Sequence, residues 1–378
     1  MKFGLVAGEA SGDVLGAGLI RALREQIPDA RFEGVAGPAM VAAGCDQWEP
    51  ADSLAVMGLV EPLRHVPRLL RLRRALAARW IESPPDVFIG IDAPDFNLGL
   101  EAKLRRAGIR TAHYVSPSIW AWRAGRVRKV RKAADKVLCI LQFEPALYEQ
   151  HDVDSVFVGH PMAHEAPDRV DTGAALKALG LSEDVVVAVM PGSRLGEVQR
   201  LGAILAGAVA RIAADRPGTR FVTPLASPRL RPVFERQLAE AGVERRCTLV
   251  DGQAQAVMSA ADVVLQASGT AVLEAALLRK PAVAAYRVSP LTFWMAKYLF
   301  RINLTHYTLP NLLTEEPLVP EFMQHDAEPG PIAEAVLGLL NDPARRRSIS
   351  ERFDRLRMEL ALDADERAAA AVVELALR

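Results

Sequence analysis

The feature that most limits how this chain can fold is an alternation of short β-branched runs with longer amphipathic stretches, which halts once and then restarts. Residues 2–7 read as a strand, and residues 14–26 as a helix with Leu15, Leu19, Ile20 and Leu23 along one face. Residues 30–35 read as a second strand. The run 87–91 is wholly apolar and follows Pro84-Pro85-Asp86, the pattern of a strand buried on both faces. Strands at 110–115, 136–140 and 155–158 come next. Such alternation builds a parallel sheet with helices on both faces. Residues 159–172 break the pattern with glycine, two prolines, two histidines and several charges. Beyond them the alternation resumes, with strands at 185–189, 220–224, 248–250, 262–266 and 281–288.

With 378 residues the chain suits two domains better than one. The expected fold class is α/β, with two Rossmann-like parallel-sheet domains at residues 1–165 and 166–345. A helical tail rich in Ala, Leu and Arg, residues 346–378, could pack back on the first domain. Two such domains facing a central cleft would bring the carboxyl ends of both sheets to it, where open α/β sheets take their ligands.

The formal net charge is zero, so no whole-protein field attracts nucleic acid or membrane, and nucleic acid is not an expected partner. Cys45, Cys139 and Cys247 are far apart and lack metal-ligand spacing; they read as free thiols in a reducing cytosol. Met1-Lys2 leads straight into a strand, unlike a secretory signal. The longest apolar stretch, residues 201–210, falls short of the roughly 20 residues that span a bilayer. The expectation is a protein that is soluble or lies on a surface.

Five loops at strand ends carry candidate chemistry. Gly8-Glu9-Ala10-Ser11-Gly12-Asp13 joins the first strand to the first helix. Its glycines permit a tight turn and a close ligand approach. It does not match the dinucleotide fingerprint, which disfavours a nicotinamide enzyme. Its two carboxylates suit sugar hydroxyls better than a bare phosphate, or else it is a capped turn with Ser11 or Asp13 near the helix start. The second loop, Asp92-Ala93-Pro94-Asp95-Phe96-Asn97, ends the most apolar strand. A carboxylate at such a mouth, Asp92, is placed where a general base belongs; the plainer reading is an Asp-Pro turn capping a helix.

The third loop runs from Ser116-Pro117-Ser118 through Trp120, Trp122 and Arg123 into a basic stretch. It can pack on a sugar ring or lipid and hold a phosphate, or anchor the core with an aromatic pair. In the fourth, Gly192-Ser193-Arg194, a glycine turn and an arginine fork suit a diphosphate. In the fifth, Ser268-Gly269-Thr270 opens a helix that carries Glu274 about one turn in. The helix N-terminus attracts phosphate oxygens, and the Glu274 carboxylate can accept from vicinal ribose hydroxyls. Asp152-Val153-Asp154 resembles a metal-binding Asp-x-Asp, but its polar setting favours a loop. His160 and His164 sit in the expected linker, where Pro161 argues against a helical zinc site. Neither metal nor cofactor is expected.

Residues 66–80 form a basic amphipathic pattern. Leu69, Leu72, Leu76 and Trp80 make one stripe, and Arg68, Arg71 and Arg74 another. A helix of this kind can lie on anionic lipid, or simply pack against a core with its arginines in water. A second patch around Phe293 and Trp294 is unusually aromatic. Together the two make a lipid-handling surface plausible.

Read in order, these motifs resemble the lipid-A-disaccharide synthases. The likeness is carried by GEASGD at 8–13, AVMGLVE at 55–61, GIDAPDFN at 90–97, HYVSPSIWAWR at 113–123, PGSR at 191–194 and SGTAVLE at 268–274. The segments 291–297 and 309–313 complete it. GIDAPDFN and SPSIWAW are specific; the SGT-x-x-x-E pattern is shared by many two-domain transferases. Met190 before PGSR and Ile119 depart slightly from the usual Leu and Val.

The resemblance implies a GT-B fold, with acceptor binding in the N-terminal domain and UDP in the C-terminal one. It implies transfer of 2,3-diacylglucosamine from UDP-2,3-diacylglucosamine to 2,3-diacylglucosamine 1-phosphate, forming a β-1,6 disaccharide phosphate. Asp92 would be the base. Gly192, Ser193, Arg194, Ser268, Gly269, Thr270, Glu274 and Asn311 would face the donor. Glu9, Ser11, Gly12, Asp13, Asp95, Asn97, Ser116, Trp120, Trp122 and Arg123 would lie on the acceptor side. The enzyme would sit peripherally on the cytoplasmic face of the inner membrane of a Gram-negative bacterium, against anionic lipid. A homodimer through the terminal helices stays open. The rival readings are a UDP-sugar 2-epimerase and a non-catalytic peripheral nucleotide-binding protein.

Overall fold

A computed structural model describes residues 1–54, 61–120, 124–181, 185–289 and 305–378, with the side chains of 61–65 and 124 outside that description. Residues 55–60 of the 55–61 motif, Trp122, Arg123, Phe293 and Trp294 therefore lie outside the described residues. The chain divides into two compact units. The first comprises 1–164 and 360–378, and the second 165–359.

The first unit holds seven parallel strands: β1 (Lys2–Ala7), β2 (Arg31–Ala36), β3 (Asp46–Pro50), β4 (Val87–Ile91), β5 (Arg110–Tyr114), β6 (Lys136–Cys139) and β7 (Ser155–Phe157). Their order across the sheet is β3-β2-β1-β4-β5-β6-β7. β1 registers Leu5 on Gly34 of β2 and Leu5 on Ile89 of β4, which places it at the centre. The helices are α1 (Ala10–Gln26), α2 (Pro38–Ala42), α3 (Glu61–Glu82), α4 (Pro94–Arg106), α5 (Val127–Ala133) and α6 (Glu144–Glu149). α1 begins at Ala10, four residues before its apolar periodicity starts, because the small residues of its first turn carry no stripe to read. β3 has a half-exposed, polar edge-strand pattern that shows no alternation.

Both faces of the sheet are covered. Leu5, Ile89 and Ala112 pack against α1 and the C-terminal helix, which brings Ala368, Ala369 and Val372. On the other face Val6 and Phe88 pack against Leu76, Ala77 and Trp80 of α3 and Leu100 and Leu104 of α4. Trp80 is fully buried. Its ring lies 4.9 Å edge-on from Phe88 and 5.0 Å from Trp48, and its Nε1–H donates to Glu33 at 3.1 Å. Leu76 and Trp80 are therefore core residues. The expectation that they meet lipid is corrected: helical periodicity marks a buried stripe but cannot say what buries it. Leu69 and Leu72 are half-buried on the same stripe, while Arg68, Arg71 and Arg74 are exposed. No helix among the described residues is long and apolar enough to cross a membrane.

The second unit begins with α7 (Pro161–Glu165), which straddles the division, and α8 (Thr172–Ala178), capped by Asp171. Its sheet has six parallel strands: β8 (Val186–Met190), β9 (Arg220–Leu225), β10 (Cys247–Asp251), β11 (Val263–Ala267), β12 (Ala282–Tyr286) and β13 (Glu321–Met323). Their order is β10-β9-β8-β11-β12-β13, the same doubly wound permutation as in the first unit. The helices are α9 (Leu195–Asp215), α10 (Arg231–Glu240), α11 (Ala254–Ala260), α12 (Thr270–Leu277), α13 (Leu309–Leu313), α14 (Pro329–Asn341) and α15 (Pro343–Leu360). α15 stays with this unit up to Glu359, where Arg279 pairs with Asp354 at 2.6 Å. α16 (Ala364–Leu377) belongs to the first unit, where it packs on α1 and Lys136 binds Glu374 at 3.0 Å. The expected tail from residue 346 is thus divided between the two units.

Candidate active site

In the first unit the strand order reverses between β1 and β4, and the loops leaving these neighbours part to either side. That crevice at the carboxyl ends is where an open α/β sheet takes a ligand. The β1 loop passes directly into α1, with Glu9 and Ser11 exposed and Gly12 buried. Gly8 allows it to lie close to the β4 loop, since a Cβ there would sit 2.9 Å from Ala93 Cβ. Asp13 does not reach this rim. Its buried carboxylate accepts the N–H groups of Gly37, Ala39 and Met40 at 2.9, 2.9 and 3.0 Å. The acceptor-side expectation for Asp13 is corrected. Packing of α2 beside α1 turns the carboxylate inward, and it caps α2.

The β4 loop is strained. Asp92 has φ 50° and Ala93 φ 42°, so two successive non-glycine residues occupy the left-handed region. Each costs on the order of 1–3 kcal/mol and persists only where neighbours hold it. Asp92 N–H donates to Tyr114 O at 2.8 Å. Asn97 Nδ2 donates to Asp92 O at 2.8 Å and lies 3.3 Å from both Val6 O and Ile91 O. Asn97 is wholly buried, so it pins the turn from beneath and presents no exposed surface at the mouth, contrary to expectation. The Asp92 side chain is half-buried at the mouth. Asp95 is exposed, and its Oδ1 accepts from Arg126 at 2.8 Å. Deeper still, His113 Nδ1 lies 2.7 Å from Glu101 Oε1, both fully buried, and burial pushes the Glu101 carboxyl up. Gly90 leaves room for this pair, because a Cβ there would overlap Glu101.

At the next strand end Val115 has φ 74°, an outlier for a β-branched residue. Ser116 follows, buried, with Oγ 2.9 Å from Tyr148 Oη, so its hydroxyl belongs to the protein interior and not to the open mouth. Trp120 is half-buried, edge-on to Phe143 at 5.6 Å, and donates to Glu144 at 3.3 Å. Glu144 escaped the sequence reading because nothing local distinguishes it from a helix-start glutamate.

In the second unit the reversal falls between β8 and β11, and a cavity of about 460 Å³ opens there. Gly192, Ser193 and Arg194 line it from the β8 loop, and Ser268, Gly269, Thr270 and Glu274 from the β11 loop and α12. Gly192 has φ 118°, and a Cβ there would lie 2.7 Å from Glu197 Oε2. Glu197 Oε2 accepts the N–H groups of Ser193 and Arg194 at 3.1 and 3.2 Å, so this turn offers the cavity its side chains more than its amides. The Arg194 side chain is 85% exposed and 3.7 Å from Glu197. Around Gly269 nothing lies within 4 Å of an added Cβ, so the start of α12 is open to a ligand. Burial raises the Glu274 carboxyl. Tyr286, at the end of β12, also lines the cavity and carried no motif by which to find it.

Asn311 is not among these lining residues. Its Nδ2 donates to Val319 O at 2.7 Å and Glu321 Oε1 at 2.9 Å, and its Oδ1 accepts from Leu318 and Val319 N–H. It lines a separate cavity of about 670 Å³ beside β13. The donor-side expectation for Asn311 is corrected: all its hydrogen-bonding capacity fastens the α13 turn to the strand that follows. Among the described residues no group of three or more His, Cys, Asp or Glu is placed to hold a metal ion. Burial pulls His160 down to about 4.

Two doubly wound parallel sheets, each with its loops gathered at the strand-order reversal, define the GT-B class of α/β proteins. The Anabaena HepE structure in complex with UDP and glucose aligns over 99% of both chains at TM-score 0.62 and 14% identity. The Neisseria meningitidis UDP-GlcNAc 2-epimerase bound to UDP-GlcNAc aligns over the whole of both chains at TM-score 0.59 and 14% identity. These likenesses concern the fold alone. In sequence, the chain is 52% identical to the lipid-A-disaccharide synthase of Alkalilimnicola ehrlichii, over 100% of this chain and 99% of that one. It is 50% identical to the lipid-A-disaccharide synthase of Pseudomonas putida, over 98% and 97%. The family model for lipid-A-disaccharide synthetase matches residues 3–374, and the chain belongs to that family.

Proposed function

We propose that this protein is an inverting glycosyltransferase that joins UDP-2,3-diacylglucosamine to 2,3-diacylglucosamine 1-phosphate, forming the β-1,6-linked lipid A disaccharide 1-phosphate and UDP. The observation that carries the reading is the full-length family match, together with Asp92 on a strained, pinned turn at the first sheet's reversal point. Asp92 takes the proton of the acceptor 6-hydroxyl. The oxygen lone pair then forms the bond to the donor anomeric carbon, and the bond from that carbon to the diphosphate breaks with its electron pair on UDP. Arg194 and the first amides of α12 hold the negative charge that develops on the diphosphate. Glu274, half-buried in the same cavity, accepts from the ribose hydroxyls. Glu9, Ser11, Asp95 and Trp120 meet the acceptor, and no metal takes part.

The decisive assay measures UDP release from UDP-2,3-diacylglucosamine with and without acceptor. Release that requires both sugars, with the disaccharide as product, is expected. Turnover or epimerisation of the donor alone would refute the transferase. The exposed Arg68, Arg71 and Arg74 on α3 support a peripheral position on anionic lipid at the cytoplasmic face of the inner membrane. Each such charge is worth about 1 kcal/mol near that surface. Arg71→Glu with Arg74→Glu should release the protein from anionic vesicles; unchanged co-sedimentation removes this face from the account.

A further inference from the structure

Glu144 opens α6 just beyond β6 and is buried. Two donors fix its carboxyl: Leu141 N–H donates to one oxygen at 3.2 Å and Trp120 Nε1–H to the other at 3.3 Å. Tyr148, on the same helix, shares a hydroxyl–hydroxyl hydrogen bond of 2.9 Å with Ser116. The titratable groups facing this carboxyl are Tyr148 from its own helix and Cys139 from β6, both themselves pushed up by burial, with Arg126 beyond Tyr148.

These bonds tie two loops together, one leaving β5 at Ser116–Trp120 and one leaving β6 at Ile140–Glu144. The first is the strained one. Val115 stands at φ 74°, where a β-branched residue stays only if its neighbours hold it. Its N–H donates to Leu138 O at 3.0 Å, and the preceding residue, Tyr114, accepts from Asp92 N–H at 2.8 Å. A continuous set of bonds therefore runs from the Asp92 turn, through the end of β5, to Glu144.

We infer that Glu144 is a positioning residue: by holding Trp120 it keeps the strained exit of β5 in place beside Asp92, and so sets how the acceptor sugar is presented. The inference rests on the transferase reading above. The ionised carboxylate is the form that accepts most strongly from Leu141 and Trp120. Burial pushes its pKa from 4.5 up to about 7, so the tie tightens as pH rises through neutrality. Stability moves the other way. A carboxyl raised on folding contributes most below its unfolded pKa of 4.5, and that contribution is lost as pH rises toward 7. Activity rising while stability falls across one pH window is a signature that a merely structural glutamate does not produce.

The test compares wild type with Glu144→Gln in acceptor kinetics, UDP affinity and unfolding, across that window. Glu144→Gln should lose about ten-fold or more in kcat/KM for 2,3-diacylglucosamine 1-phosphate. UDP affinity should be unchanged, and the inflection near neutrality should be gone. Retention of both the inflection and the acceptor kcat/KM would overturn the inference, as would parallel loss of UDP binding with a lowered Tm. Should Glu144→Gln fail to fold, Trp120→Phe removes one donor and should move the inflection to higher pH; an unmoved inflection sinks the idea. A wild type that makes no disaccharide refutes the transferase instead. The tie is then read from Trp120 fluorescence, which should change near neutrality in wild type and not in Glu144→Gln, and a signal alike in both overturns it.

Discussion

The mouths of the two sheets share one strand order but hold their loops by different means. At the β1/β4 mouth the conformations that favour glycine fall on Asp92, Ala93 and, one strand over, Val115. Buried polar side chains hold them there: Asn97 beneath Asp92, and Glu144 on the loop after Val115, through Trp120. At the β8/β11 mouth glycines take those duties, Gly192 turning the β8 loop and Gly269 leaving the helix start clear. The cation of that loop, Arg194, stands in solvent. A strained, over-determined turn suits a group that must meet a reacting atom within a fraction of an ångström. An open, glycine-lined cavity suits a ligand held by many weaker contacts around a diphosphate.

The contrast is broken most sharply at Asp92. Asp92→Asn keeps the shape and removes the proposed base, so turnover should fall by about 10²–10⁴ while calorimetric UDP affinity holds. Near-normal turnover would leave the first mouth without its chemistry. Next in size is Asn97→Ala, which strips the buried donor from three carbonyls. Denaturant unfolding should show a loss of about 2–3 kcal/mol, and turnover should fall with it. A variant as stable as wild type would show that the strained turn needs no pin.

Gly8→Ala brings a methyl group 2.9 Å from Ala93 Cβ and should push the Asp92 turn out of register. About a ten-fold drop in kcat with unaltered UDP affinity is expected, since a small misplacement near the reacting group is costly. The smallest effect belongs to the second mouth. Arg194→Ala should weaken UDP binding by about ten-fold, the scale of one charge-assisted hydrogen bond at an exposed site. If Arg194→Ala hurts kcat while Asp92→Asn hurts UDP binding, the division of labour is reversed.

What could be read ahead of the structure was whatever is local along the chain. Strand, turn and helix start follow one another within about ten residues at Gly8, Asp92, Gly192 and Ser268, so hydrophobic runs and glycines locate these loops unaided. Trp80 shows the opposite case. Its stripe was evident, but only the packing of Phe88 and Trp48 around it decided that it lies in the core. Asp13 sits inside a recognisable motif, yet its partners begin 24 residues away at Gly37, and Asn97, besides its near partners Ile91 and Asp92, reaches Val6, 91 residues away.

From sequence alone came the two-sheet α/β class, the loops that end the central strands, and the family. Each of these rests on periodicity or on contiguous residue types, which a chain displays before it folds. Tertiary structure alone decided which polar side chains of those loops face solvent and which are consumed in holding the backbone. It also decided that Glu144, from a later helix, takes the indole N–H of Trp120. A side chain's role follows from the donors and acceptors that meet it, and those arrive from strands far apart in sequence once the sheet has assembled.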